Sequence, residues 1–246
     1  MNHLIINNLY EFWSYIGIQS NLFMVRDELK AVAVSGSDWP KRIFDVSPKA
    51  DFSDILKKIH QGKLPNLVTM PQPNNLNENP QTELISGQKN MALNLKSYNR
   101  HTTPDPNIVQ VKTKQDADKF AQTASLAFGY NVDGEIVHAI CNDNLKIQLY
   151  NYVSDSHYLG CGGIFFDSGK LAGLHMIGTI PNSRKMGIAK SMTQYLIQIA
   201  KNNDCDFCVL HASKAGEPVY LKLGFKGYGD LETYKVSITD NLFRKI

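Results

Sequence analysis

Apolar positions along the chain follow two periods, three-to-four in some segments and two in others, and these periods predict the elements. Residues 3–17, apolar in places, read as an amphipathic helix. LKAVAVSG (29–36) reads as a strand stopped by Gly36, and RIFDV (42–46) as another. DFSDILKKIHQGKL (51–64) places Ile55, Leu56 and Ile59 on one helical face, with Asp51 near the start as a capping residue. NLVTM (66–70) is a strand, PQPNNLNENPQT (71–82) a long polar loop, and KNMALNLKSY a strand that closes this first unit. NRHTTPDPN (99–107) has the composition of a linker, which predicts a boundary between a smaller α+β domain, 1–103, and a second domain, 104–246.

The second unit opens with the strand-like NIVQVKT. A helix follows through Ala117, Phe120, Ala121, Ala124 and Leu126, then a shorter helical segment over 134–144. NLKIQLYNYVS, HYLGCGGIFFD and GKLAGLHMIGTI predict three strands joined by polar turns. A helix over about 187–202, the strand DFCVLHAS, a helix around 215–223 and a closing strand or two complete the chain. The order β-α-α-β-β-β-α-β-α-β implies an α+β domain on one mixed sheet.

Composition narrows the class. With 246 residues, 43% hydrophobic and 20% charged, the chain can bury a sizeable core. Its formal net charge of +3 and lack of any dense Lys/Arg run argue against a nucleic-acid partner. No stretch approaches the roughly 20 apolar residues of a membrane span. The amino terminus lacks the basic and small-residue signals of a secretory leader, so a cytoplasmic protein is expected. Of the four cysteines, Cys205 and Cys208 form a Cys-x-x-Cys pair in DCDFCVL with His211 nearby. Without a second pair at zinc-ribbon spacing, these are read as small fillers entering a buried strand.

The chemistry concentrates after the strand ending at Thr179-Ile180. Pro181 stops that strand, and the turn Arg184-Lys185-Met186-Gly187-Ile188-Ala189 runs into a helix whose apolar face is Ile188, Met192, Tyr195, Leu196 and Ile199. The first N–H groups of a helix have no partner inside it and, with the helix dipole, favour an anion such as phosphate. Small residues at 187 and 189 would let a diphosphate approach, and Arg184 and Lys185 would add charge. Further on, HASKAGEPVYLKLGF (211–225) has strand, turn and short helix, with Tyr220 on the helix and Gly224 as its C-terminal glycine. Taken separately, each feature also fits plain capping and core packing.

Together the two segments resemble the GCN5-related N-acetyltransferases. That family's acetyl-CoA turn, Arg/Gln-x-x-Gly-x-Gly/Ala, stands here as Arg184-Lys-Met-Gly187-Ile-Ala189, and its later motif as Tyr220-Leu-Lys-Leu223-Gly224-Phe225. The resemblance covers about 107–246 and implies a GNAT-type mixed sheet, acetyl-CoA as co-substrate and no metal. It implies that backbone amides of Met186, Gly187, Ile188, Ala189 and Lys190 bind the pyrophosphate, with Arg184 and Lys185 beside them. Thr179 and Ile180 would pair with the pantetheine arm at the splayed end of their strand, and Ser213 would contact that arm. The acetyl group would pass directly to an amine through a tetrahedral intermediate, with Tyr220 as general acid to the departing thiolate.

His175 is the first candidate for the base, because four residues along a strand of period two put it on the face of Thr179. A core histidine is an equal reading, and Glu135 and His138 are further candidates, whereas Glu217 reads as a solvated helix residue. The acceptor is a small-molecule or peptide amine, and the oligomeric state is left open. Two other classes fit the same segments: a non-catalytic acyl-CoA-binding regulatory module, and an interaction protein whose turn binds nothing. The first hundred residues contain no such turn. Their element order is that of a degenerate copy of the same α+β unit, placed to wall the acceptor cleft or brace the second half. Trp39 could reach that cleft or sit on the interface between the halves.

Overall fold

The computed structural model describes residues 1–26, 28–34, 36–100, 104–141 and 146–238. Helix α1 (Asn2–Gln19) leads into β1 (Phe23–Arg26), β2 (Leu29–Val32) and β3 (Arg42–Phe44). Helix α2 (Phe52–His60) crosses to β4 (Leu67–Pro71), and a 3-10 turn (Leu76–Glu78) precedes β5 (Thr82–Asn94). The second half runs β6 (Ile108–Gln110), α3 (Lys114–Phe128), α4 (Gly134–Cys141), β7 (Ile147–Ser154), β8 (His157–Phe166) and β9 (Leu171–Thr179). It ends with α5 (Ile188–Asn202), β10 (Phe207–Ser213), α6 (Glu217–Leu223) and β11 (Lys226–Val236). The fold is α+β on a mixed sheet, in the element order the sequence predicts for the second half. No helix among the described residues is long and apolar enough to cross a membrane.

Local causes are visible in the helices. Asp51 accepts from the Ser53 N–H (2.9 Å) and starts α2, while Ile55, Leu56 and Ile59 form its buried stripe. Thr113 and Asp116 cap α3 reciprocally, and Gly129, at φ 77°, ends it in the left-handed conformation.

The eleven strands among the described residues join one sheet in the order β1-β2-β3-β4-β11-β5-β10-β9-β8-β7-β6. Two parallel pairs stand inside it, β3 with β4 through Ile43–Val68 and β9 with β10 through Leu171–Phe207 to Gly173–Val209. A single helix, α2 or α5, connects the strands of each pair. The strand that follows each unit then crosses to the other. β5 from the first half lies antiparallel on β10, and β11 from the second half lies antiparallel on β4. β5 and β11 pair with each other from Lys226–Ala92 to Val236–Thr82. The boundary expected after residue 103 adjoins residues outside the described ones, and the sheet is continuous across the two halves.

Two expectations change. β5 begins at Thr82 rather than near Lys89, because its first six residues are almost wholly exposed and show no apolar alternation. β1 was not expected; LFMVR is too short to declare a period. Side chains alternate between the sheet's faces. Helices α1, α3 and α4 pack on one face with Phe12, Trp13, Phe120, Ile140 and Phe165, and Trp39 is buried there. Helices α5 and α6 cover the other face over Met91, Leu93, Leu174 and Leu210, and α2 covers it at the far end over Ile43, Val68 and Tyr234.

The exchange makes a prediction about dissection. Met91, Ala92 and Leu93 of β5 are buried between β10 and β11, and a buried Met or Leu is worth about 1.5–3 kcal/mol. Residues 104–246 produced alone lose that strand and should show no cooperative urea transition. Supplying residues 1–100 as a separate chain should restore one. A fragment 104–246 that unfolds cooperatively by itself would show that β5 is dispensable.

Candidate active site

The site begins where β9 and β10 part. Their parallel ladder stops after Gly173–Val209, although β9 continues to Thr179 and β10 to Ser213. The departure coincides with a bulge in β9. Its pairing with β8 slips between Cys161–Gly178 and Gly163–His175, and Met176 takes a positive φ of 54°. A strand twisted this way cannot stay in register with a straight neighbour, so a gap opens.

The bulge also shifts the side chains. Gly160, opposite Thr179, faces Ile188 of α5, whereas Gly163, opposite His175, faces Leu149 on the α1 side. Thr179 and His175 are therefore on opposite faces, and the expectation that a period of two puts them together is corrected: the extra residue at Met176 breaks it. His175 is buried, its ring stacked on Phe12 at 4.0 Å and its Nε2 3.3 Å from Asn8 Oδ1.

Backbone directions sharpen the expected cofactor contacts. The Ile180 N–H donates to Leu159 O (3.0 Å), and the Ile180 carbonyl accepts from Ser183 (3.0 Å). Both Ile180 groups are committed, so its expected pairing with a pantetheine arm is corrected. Antiparallel alternation then turns the N–H and C=O of Thr179 away from β8 and into the gap. The Thr179 hydroxyl is buried without a hydrogen-bond partner among the described residues.

Beyond the gap the chain passes a 3-10 turn at Pro181–Ser183 and reaches α5 through Gly187 at φ 85°. No side chain caps α5, and its first turn carries no acidic residue. From Met186 to Lys190 no backbone N–H reaches a backbone acceptor among the described residues; the first helical bond runs from Ser191 to Gly187 O. These donors sit in an exposed turn with Lys185 and Lys190, an arrangement that favours an anion. Arg184 is engaged elsewhere, donating to Ala127 O at 3.1 Å and tying the turn to the end of α3. Nothing lies within 4 Å of a Cβ built on Gly187. Its positive φ favours glycine at that position.

Tyr220 lies on α6, whose core-facing side it shares with Leu223. It packs edge-on against Phe225 (5.8 Å), and its ring approaches Gly216, whose N–H bonds to Ser213 Oγ at 3.2 Å. The Gly224 cap, at φ 101°, turns Phe225 back under that ring. Burial pushes the Tyr220 phenol up to about 12, so it holds its proton at every physiological pH. Helices α5 and α6 cover one face of the sheet, and Tyr220 packs there with Leu223 and Phe225.

The other candidate bases lie apart. Glu135 is exposed and ion-paired with Lys114, which holds its carboxyl below the usual range. His138 is half-buried on α4. The thiols are core groups: burial pushes Cys161 up to about 12, raises Cys208, and Cys161 Sγ donates to Met176 O at 3.3 Å within the bulge. Sequence reasoning missed the polar set beneath α1. There His211 Nδ1 lies 2.7 Å from Asn90 Oδ1, and Asn90 donates to Asn2 at 2.9 Å. Strand pairing across the exchanged β5 brings these residues together, and no local pattern announces it.

Residues 112–225 match the family model described as the acetyltransferase (GNAT) family. Among solved structures, the chain is similar to one described as a GNAT-family acetyltransferase from Novosphingobium aromaticivorans DSM 12444. That match has 16% identity and a TM-score of 0.63, covering 92% of this chain and 96% of the other. A GCN5-related N-acetyltransferase from Kribbella flavida matches at 12% identity and a TM-score of 0.64, covering 91% and 93%. One from Sphaerobacter thermophilus matches at 13% and 0.58, covering 86% and 77%. At these identities the likeness is one of fold, and it extends through the first half of the chain. No curated protein matches the sequence.

The two enclosed histidines give the site a pH signature. Burial lowers His175 well below its ordinary value and His211 to about 4. Both are neutral in the fold, whereas in the unfolded chain they take up protons below about pH 6.5. Stability should therefore fall as pH drops from 7 towards 4, by up to about 1.4 kcal/mol per pH unit for each histidine. Urea midpoints at pH 7, 6 and 5 measure the slope, and it should flatten in His175→Gln. A slope unchanged by that substitution would show that His175 is free to protonate in the fold.

Proposed function

We propose that this chain, whose residues 112–225 belong to the GNAT acetyltransferase family, transfers an acetyl group from acetyl-CoA to an amine. The supporting observation is the opening of the β9–β10 gap beside the uncapped start of α5, which puts unpaired backbone groups and an anion cradle on one path. The residues fit the co-substrate: the donors from Met186 to Lys190 match a pyrophosphate, and the gap-facing groups of Thr179 match an amide-bearing arm.

Each step has an assigned group. Acetyl-CoA supplies an activated acyl carbon and a thiolate leaving group. The turn and β9 hold it in place, so that attack by the amine becomes effectively unimolecular. The amine nitrogen bonds to the acyl carbon, negative charge on the acyl oxygen is met by the Thr179 N–H, and the carbon–sulfur bond breaks. Tyr220 gives its proton to the departing sulfur. The amine's proton leaves to water rather than to His175, which Phe12 encloses. No covalent enzyme intermediate is required, consistent with thiols that burial keeps protonated.

Tyr220→Phe should lower turnover by about 10²–10⁴-fold while leaving acetyl-CoA binding close to wild type by isothermal titration. Binding without any turnover in wild type, against a broad amine panel, would favour the non-catalytic acyl-CoA module instead.

Gly187→Val forces a branched residue into φ 85°, at a cost of about 1–3 kcal/mol. It should weaken acetyl-CoA binding by tenfold or more. Unchanged affinity in that variant would remove the turn from the cofactor site.

A further inference from the structure

The strand exchange leaves one length of β5 uncovered. β10 pairs with β5 from Phe207–Asn94 to Ser213–Gln88 and stops there, whereas β5 runs back to Thr82 with β11 alone beside it. No strand among the described residues continues the line of β10 past Ser213. The chain leaves that line, and α6 packs on the α5 face. The direction of the backbone groups on this length follows from fixed points at its two ends. The Leu95 N–H donates to Asp206 O (3.0 Å), so counting back by twos turns the N–H and C=O of Gly87 to the side where β10 has ended. The Ser237 N–H donates to Gln81 O (2.9 Å), so counting forward turns the groups of Leu84 to that same side. Neither Leu84 nor Gly87 bonds to the backbone of a turn or loop among the described residues.

The edge is also clear of side chains. Glu83 to Gly87 are all exposed, Leu84 at 50% and Ile85 at 47%. A Cβ built on Gly87 meets nothing within 4 Å, and its φ is not positive. Neither backbone conformation nor crowding requires glycine there; what the missing side chain leaves is room for another backbone to approach. Open edges are ordinarily guarded by lysine, proline or inward-pointing charge. Between Glu83 and Gln88 this one has Leu-Ile-Ser-Gly, with a bulge at Ile85 that leaves the Leu84 and Gly87 groups facing outward.

The uncovered length stands at the open end of the gap. Past their last pair, Gly173–Val209, β9 runs on to Thr179 and β10 to Ser213. Both β9 and β5 therefore outlast β10, one on each side of its line. A chain set on the β5 edge at the usual strand spacing of about 4.8 Å takes up that line. We propose that an extended stretch of the acceptor adds to this edge as a further strand, and that the acceptor is therefore a polypeptide rather than a small amine. This rests on the acetyl-transfer reading and names its substrate class. Edge N–H and C=O groups are complementary to an extended main chain, which supplies the affinity, while Leu84 and Ile85 meet alternate side chains. The strand so held runs end to end with β10, one wall of the gap.

The test uses the full chain saturated with CoA and a probe heptapeptide of alternating valine and threonine behind an N-terminal alanine. Isothermal titration compares the probe with alanine amide and with its two alternately N-methylated forms, each of which has lost hydrogen bonding along one edge. We expect the probe to bind about tenfold tighter than alanine amide and than one of the methylated forms, as a few net main-chain bonds allow. The preference should vanish in Gly87→Pro, which removes an outward N–H, and weaken in Leu84→Lys, with acetyl-CoA affinity unchanged in both. Thiol release from acetyl-CoA should rank the probes in the same order by kcat/KM. Equal binding of peptide and alanine amide, indifference to both methylation patterns, or a preference that survives both substitutions would each overturn the proposal. So would a wild-type dimer in sedimentation that Leu84→Lys turns into a monomer, since a second copy would then hold the edge. If Gly87→Pro does not fold, Leu84→Lys and the methylated probes decide. Absence of acetyl-CoA binding would instead count against the acetyl-transfer reading, so the two failures are distinguishable.

Discussion

The antiparallel pairing of β5 with β11 holds the molecule together, because each strand is on loan to the other half. β5 completes the sheet beside β10, and β11 completes it beside β4. Neither parallel pair can cover its inner edge without a strand whose sequence lies in the opposite half. A sheet edge left open exposes unpaired N–H and C=O groups, so the exchange removes two edges with one ladder. It also fixes how the halves face each other. Because β5 lies between β10 and β11, the polar set on His211 and Asn90 and the gap beside β10 are positioned by residues from both halves.

The same plan occurs twice with different outcomes, and the difference is local. Each half has a parallel pair joined by one helix, β3-α2-β4 and β9-α5-β10. In the first half, Asp51 caps α2 and Asp54 follows in its first turn, so carboxylates satisfy the helix N-terminus and repel an anion. In the second, Gly187 stands at the start of α5 with no side-chain cap and no acidic neighbour, and the donors stay open. One half has spent its anion site on its own stability, worth about 1 kcal/mol for such a cap; the other keeps it free.

This explains what could be read from the sequence and what could not. The Arg184–Ala189 turn, the helix after it and the Tyr220-to-Phe225 segment were legible because each depends on residues within a few positions of one another. Helix α2 was legible for the same reason, from Asp51 and the Ile55–Ile59 stripe. The bulge at Met176 was not. An inserted residue leaves both flanking segments with normal alternation, and only the pairing with β8 shows that His175 and Thr179 have parted. The exposed start of β5 was hidden because its pairing partner, β11, lies far along the chain and its side chains meet solvent. The commitment of Ile180 was equally invisible, since backbone direction leaves no trace in side-chain pattern.

Arg42 shows a further limit. At the head of RIFDV it reads as an ordinary polar residue flanking a strand. In the fold its guanidinium lies over the Trp13 ring of α1 at 4.7 Å, a neighbour that packing alone brings. A buried arginine in a structural role is normally matched by a carboxylate or by carbonyls, and the cost of leaving it unmatched exceeds what stacking on one indole returns.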